Sequence, residues 1–185
     1  MDILKRVARV VGFAVGFVVV YFIIQLFTSS DKLAPFKEFR SDEGGFAVLM
    51  PGKPKAQNQV LDTPVGKVNM VMYMAGSGSA GCAVSYADYP AQLINSTDPQ
   101  KTLDGARNGA IKNVSGKLIS ETSINFHGLP ARDIRIEISK KALVTTRLIL
   151  AGPRFYQLMF IAPTDKGHEQ DISKFFDSFA IDGVK

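Results

Sequence analysis

The chain has 185 residues, 46% of them hydrophobic and 21% charged, which argues against extensive disorder and predicts one domain with an appendage. The formal net charge of +5 is a poor basis for binding nucleic acid, which needs a concentrated basic stripe. Because Cys82 is the single cysteine, an intramolecular disulfide is excluded.

The first predicted element is a transmembrane helix over residues 10–27, an 18-residue run in which Gln25 is the one strongly polar side chain. A helix of that length covers about 27 Å, close to the thickness of a bilayer's hydrocarbon core. Lys5, Arg6 and Arg9 precede the run, and basic residues stay on the cytoplasmic side. The pattern therefore predicts a bacterial inner-membrane protein with a cytoplasmic amino terminus and a periplasmic main domain.

A cleaved signal peptide is the alternative for the same segment. The apolar region of a signal peptide is usually about 7–15 residues and precedes a small-residue cleavage site. Thr28–Ser30 matches such a site weakly, and no cysteine follows at once for lipid attachment. The sequence favours an uncleaved anchor over residues 1–30, followed by one domain over residues 31–185.

Small residues recur along one face of the predicted anchor. Ala8, Gly12 and Gly16 are spaced by four, and small side chains let two helix backbones approach closely. We expect this face to pack on another membrane helix. The alternative is that glycine is simply common in membrane helices.

Two glycine-containing stretches resemble phosphate-binding loops without their required context. Gly52-Lys53 ends the apolar run Phe46–Met50, but Pro54 and an extended stretch follow in place of a helix. Gly76–Gly81 has the Gly-x-Gly-x-x-Gly spacing, but a strand-like segment follows. Both stretches are predicted to be turns, and residues 28–39 are predicted to be a linker.

Between these turns, residues 67–75 alternate in polarity as a strand does. One face of this strand carries a row of apolar side chains that we expect to fill a core: Val68, Met70, Met72 and Met74.

The main helix is predicted between residues 96 and 116. Thr97 is the expected N-cap, with Gln100 completing a capping box, and Gly116 is the expected stop. Gly105 and Gly109 are tolerable inside this helix if its backbone lies close on a sheet. The apolar stripe of the helix comprises Leu103, Ala106, Ala110, Ile111 and Val114.

Four strands and a short helix complete the chain. Residues 155–162 are apolar on both strand faces, which predicts layers above and below the sheet. Asp133 and Glu137 flank Arg135 on an alternating strand, where an ion-paired outer face is expected. The last helix carries its apolar residues at helical spacing: Ile172, Phe175, Phe176 and Phe179. The prediction is an α+β domain with one antiparallel sheet and helices packed on it.

The order of these segments resembles the PsbP-like α/β/α sandwich of small exported or membrane-anchored bacterial proteins. The segments that carry the resemblance are FAVLMPGKPK, TPVGKVNMVMY, AVSYADYP, LDGARNGAI, GLPARDIRIE, RFYQLMFIAP and DISKFFDSFAI. The resemblance implies a non-catalytic accessory subunit that packs on a larger membrane complex, with a photosynthetic or electron-transfer assembly as one candidate. It implies no metal or catalytic residue that can be matched onto this chain.

No catalytic, cofactor-binding or metal-binding residue is predicted from the sequence itself. His127 lies in a predicted turn. His168 begins a polar cluster with Glu169 and Asp171, and such a cluster is typical of the start of a helix. One alternative function is a hydrolase with an unrecognised site. A cleft that brings either histidine close to acidic residues would favour this alternative. A domain that binds a ligand or a lipid surface is also an open alternative. One basic face would favour it, formed by nearby arginines together with Lys53, Lys55, Lys67, Lys140 and Lys141.

Overall fold

Ten strands in two antiparallel sheets form the framework of the computed structural model, which describes residues 33–63, 66–77, 80–165 and 167–184. In chain order the strands are β1 (Phe36–Ser41), β2 (Phe46–Pro51), β3 (Lys55–Thr63), β4 (Gly66–Ser77), β5 (Ala80–Asp88), β6 (Lys117–Phe126), β7 (Leu129–Ile138), β8 (Ala142–Ala151), β9 (Arg154–Pro163) and β10 (Ala180–Ile181). The helices are α1 (Ala91–Asn95), α2 (Pro99–Asn113) and α3 (Glu169–Asp177).

The large sheet has seven strands in the order β3-β4-β5-β9-β8-β7-β6, so β9 lies at its centre. Strand β9 is buried on both faces, as its sequence predicts. The odd-numbered side chains, such as Phe155 and Met159, enter one core, and the even-numbered ones, such as Tyr156 and Phe160, enter another. The sheet is therefore the middle layer of three.

Helix α2 covers one face of the large sheet. Leu103, Ala106 and Ala110 are fully buried there against β7 and β8, in a core that also contains the predicted methionine row of β4. Gly105 is buried as well, which fits the expected close approach of helix and sheet.

The two ends of α2 differ from the expectation. Asp98, and not Thr97, is the N-cap, because Pro99 occupies the first helical position and the Asp98 carboxylate accepts a 2.8 Å bond from the Gln100 N–H. At the other end Ser115 takes the left-handed conformation, with φ of 48°. Gly116 is required for another reason: a Cβ at this position would collide with the side chain of Ile136.

The other face of the large sheet is covered by α3 and a three-stranded sheet of order β1-β2-β10. The expectation of one sheet was therefore wrong. Residues 36–41, of which 36–39 were assigned to the linker, pair with β2 in the register Phe36↔Pro51 to Ser41↔Phe46. Phe46 and Phe175 are fully buried in the core of this layer. The segment was missed because β1 is mostly polar and buries no large side chain completely.

The predicted membrane anchor lies outside the described residues. In the part of the chain that the structure describes, no helix is long and apolar enough to cross a membrane. The residues on which the anchor and its topology depend also lie outside the described part of the chain: Lys5, Arg6, Ala8, Arg9, Gly12 and Gly16.

Candidate functional site

His168 lies in a cleft of about 390 Å³ between the start of α3 and the segment Leu33–Phe36. Its Nδ1 lies 3.0 Å from the Asp171 Oδ2. Its Nε2 is buried and has no hydrogen-bond partner among the residues described. His168 is the N-cap of α3, but its side chain makes no capping bond. A ring held this way is oriented by Asp171, and its other nitrogen is closed to solvent.

His127 lies in a second cleft, of about 370 Å³, at the turn between β6 and β7. The turn is a tight hairpin in which His127 has φ of 51° and Gly128 has φ of 88°. Arg147 and Asp177 are the charged groups among the cleft residues described. The turn predicted from the sequence is therefore confirmed, and its histidine faces a site of mixed charge.

Arg147, in this second cleft, already binds a carboxylate and contacts an aromatic ring of the protein. It donates two 2.8 Å bonds to the Asp133 carboxylate and lies 5.4 Å from the centre of the Phe176 ring. The bonds to Asp133 raise the pKa of Arg147 above its ordinary value. Its charge is therefore offset inside the protein, which weakens any pull on an anionic ligand.

The two clefts meet part of the expectation set out for a hydrolase. Each cleft holds one histidine and one carboxylate, but no serine, threonine or cysteine is among the described lining residues of either. Cys82 is fully buried, and desolvation raises the pKa of its thiol well above the ordinary value, so little reactive thiolate forms. Within the described ranges, no three His, Cys, Asp or Glu residues lie together as metal ligands would.

The five lysines proposed as one basic face are divided between two ends of the domain. The register Lys55↔Met74 places Lys55 at one end of the β3–β4 pair, and Asp62↔Lys67 places Lys67 at the other. Lys140 and Lys141 form the turn between β7 and β8, at the same end as Lys55. Lys53, in the turn that leads into β3, also belongs to this end.

A network of charged side chains under α2 was not predicted. Arg132 is only 4% exposed, and its guanidinium contacts Asp104 and donates to the Gln100 Oε1 at 2.9 Å. Its Nη1 also lies 2.7 Å from the Glu121 Oε1, and Arg107 donates to both oxygens of Glu121. The hydrogen bond from Arg132 lowers the pKa of Asp104. The network joins α2 to β6 and β7.

The sequence holds a signal for this network. Arg132 has the same strand parity as the buried Ile134 and Ile136, so strict alternation places it on the inward face. A charged residue on an inward face needs partners, which the helix and the neighbouring strand supply. The other face of β7 carries ion pairs, but their partners lie on other elements: Asp133 binds Arg147 of β8, and Arg135 lies 2.6 Å from Glu169 of α3.

Comparisons with known proteins identify the fold. No protein-family profile matches the chain, and no curated protein sequence matches it. The solution structure of cyanobacterial PsbP (CyanoP) from Synechocystis sp. PCC 6803 is similar, with a TM-score of 0.56 and 10% identity over 83% of this chain and 96% of that one. A Pseudomonas aeruginosa protein of unknown function, PA94, aligns with a TM-score of 0.38 and 12% identity over 75% of this chain and 91% of that one. The domain has a PsbP-like fold.

Proposed function

We propose that this protein is a non-catalytic accessory subunit, held to the membrane by residues 1–30, whose outer domain packs on a larger membrane protein complex. The observation that carries the proposal is the PsbP-like fold of the described residues. The apolar, basic-flanked run over residues 10–27 supports the tether. A photosynthetic or electron-transfer assembly is the candidate that the fold likeness suggests.

The described clefts also favour contact over chemistry. The Nε2 of His168 is buried, so a substrate has no access to the nitrogen that Asp171 leaves free. The charge of Arg147 beside His127 is offset by Asp133. A tethered domain needs little affinity of its own, because the anchor raises its effective concentration near any membrane partner.

Gentle detergent extraction of the tagged full-length chain tests the proposal. We expect other membrane proteins to co-migrate with it, and we expect deletion of residues 1–27 to release the domain from them. The matched variant combines His127→Gln with His168→Gln, which removes both imidazoles and leaves the anchor unchanged. This variant should co-migrate with the same proteins as the parent, and it should restore growth as well as the parent does in a strain that lacks the gene.

Two results would contradict the proposal. A full-length chain that migrates alone under conditions that preserve known membrane complexes would remove the accessory role. If the double histidine variant folds and associates normally but does not restore growth, a hydrolytic or metal-dependent site would be favoured instead.

A further inference from the structure

The chain enters the domain at the end that carries most of the proposed basic face. Leu33–Phe36 lies against the turn after β2, where the Gly52 N–H donates a 3.1 Å bond to the Pro35 carbonyl, and Lys53 follows directly. Lys55 then opens β3. The entry point of the chain and these two lysines therefore share one end of the sheet.

The turn between β7 and β8 belongs to the same end. The Thr164 N–H donates to the Lys141 carbonyl at 3.1 Å, and the Thr164 hydroxyl donates to the Lys140 carbonyl at 3.2 Å. Gly167, three residues after Thr164, lines the cleft that Leu33–Phe36 closes. Both lysine turns therefore lie at the end of the large sheet where the chain enters. We call this surface the basic end, defined by Lys53, Lys55, Lys140 and Lys141.

The lysines of the basic end have no ion-pair partner within the described part of the domain. All four lysines are exposed. Asp165 is an exposed carboxylate in the neighbouring turn. Glu169 and Asp171 also lie near, but they are bound to Arg135 and His168.

The opposite end of the domain has a different balance. Asp42, Glu43 and Asp98 are exposed there. Two arginines of this end are held by carboxylates: Arg40 by Asp42 and Asp182, and Arg154 by Asp88. Lys67 and Lys101 are also exposed at this end. The larger group of exposed lysines therefore lies at the basic end, on the side where the chain enters.

Chain length places the basic end close to the membrane if the tether holds. Five residues separate Phe27, at the end of the apolar run, from Leu33. Even a fully extended segment of that length reaches only about 20 Å. The surface potential of anionic lipids acts within a Debye length, about 8 Å at physiological salt, and lysine side chains on short turns can enter that layer.

We propose that the basic end docks on anionic phospholipid headgroups and so fixes the orientation of the domain on the membrane. The proposal rests on the tether of the proposed function for its geometry. Each lysine close to an anionic surface raises the binding constant about fivefold, so four of them suffice to hold a tethered domain in one orientation. The opposite end of the domain then faces away from the lipid.

Nanodiscs carrying the full-length chain provide the test. One set contains phosphatidylcholine alone, and the other contains phosphatidylcholine with about one-third phosphatidylglycerol, which is anionic. The rate of amine acetylation is measured at each lysine by mass spectrometry. We expect acetylation of the basic end to slow at least threefold in the anionic discs and that of Lys67 and Lys101, at the other end, to stay unchanged. High salt should remove the difference.

A matched pair of variants tests the lysines directly. Lys140→Gln with Lys141→Gln should reduce the protection of Lys53 and Lys55, whereas Lys67→Gln with Lys101→Gln, the same change in charge, should leave it intact. Equal acetylation in both lipid compositions would overturn the proposal. Protection that appears only in native membranes, and not in anionic discs, would also overturn it and would identify an acidic protein as the partner.

Failure of the tether is distinguishable from failure of the lipid contact. If the full-length chain does not elute with the discs, the proposed anchor is wrong. The lysine proposal is then decided by sedimentation of the same protein with sucrose-loaded vesicles of the two compositions. Binding to the anionic vesicles that the Lys140→Gln, Lys141→Gln variant loses supports it, and equal sedimentation with both compositions overturns it.

Discussion

Gly116 and Asp98 show how single residues set the ends of α2. The Asp98 carboxylate caps the first turn, and Gly116 allows the chain to leave the helix against β7. The left-handed residue that ends the helix is Ser115, and Gly116 does not have a left-handed conformation. Its value lies in the missing side chain, because the Glu137 carbonyl would lie 3.0 Å from an added Cβ.

Gly116→Ala should lower the free energy of unfolding by about 1–3 kcal/mol, because the added methyl group overpacks a site closed by Ile136 and by backbone. Urea unfolding monitored by circular dichroism measures the change. Gly167→Ala is the matched control, since nothing lies within 4 Å of its added Cβ. Equal stability of the two variants would mean that the chain after α2 shifts freely.

At the scale of elements, the network around Arg132 connects α2 to β6 and β7, and part of its strength depends on pH. Asp104 has its pKa lowered from the ordinary value of 3.8 by the hydrogen bond from Arg132. A carboxyl with a lowered folded pKa stabilises the fold above its unfolded pKa. That contribution is lost as the pH falls through the lower, folded pKa.

Asp104→Asn should therefore cost about 1 kcal/mol at pH 7, a modest value because the carboxyl is 46% exposed. The difference from the parent should shrink below about pH 4. Urea midpoints between pH 7 and pH 2 measure this convergence. Asp165→Asn, at an exposed turn, should follow the parent at every pH. A deficit for Asp104→Asn that is constant with pH would mean that the charge of Asp104 does not matter.

The membrane helix proposed for residues 10–27 carries its own prediction. Replacing Gly12 and Gly16 by isoleucine should weaken association with a partner helix, because the branched side chains block close backbone approach. Helix contacts of this kind are often worth only about 1 kcal/mol, so the isolated helix in a two-hybrid membrane assay is the sensitive measurement. Ala14→Ile, off the small-residue face, is the control. Unchanged association would mean that the glycines are incidental.

Periodicity determined which elements the sequence revealed. The strands β4, β7 and β9 and the helix α3 have clear apolar patterns, and each was predicted close to its observed place. Strand β1 was missed because it is mostly polar and buries few side chains, and helix α1 was missed because five residues are too few to show a helical period. The Arg132 network depends on pairing between residues 28 apart, such as Arg132 and Asp104, which a local pattern cannot show.

For the whole molecule, the proposed tether makes topology on the membrane the property to test. The cluster of Lys5, Arg6 and Arg9 predicts that the amino terminus stays in the cytoplasm and that the domain lies in the periplasm. The clefts, the basic end and any partner are then all on the periplasmic side.

A reporter fused after Lys185 should be active only if it functions in the periplasm. Alkaline phosphatase, which needs that compartment, should be active, and a fusion to a cytoplasm-restricted reporter should not. Replacing Lys5, Arg6 and Arg9 by glutamine should reduce this asymmetry. Activity of the cytoplasmic reporter in the parent would refute the predicted topology and, with it, the orientation of the basic end.

The central position of β9 has a consequence for the order of folding. The group β3-β4-β5 and the group β6-β7-β8 meet in the large sheet only through β9, the last of its strands to be synthesised. Gly81 pairs with Ile161, so this closure spans 80 residues of sequence, and such distant contacts form slowly. A nascent chain that stops before Arg154 therefore holds two separate groups of strands. Protease resistance should arise abruptly once the chain passes Pro163 and the two halves close on the strand between them.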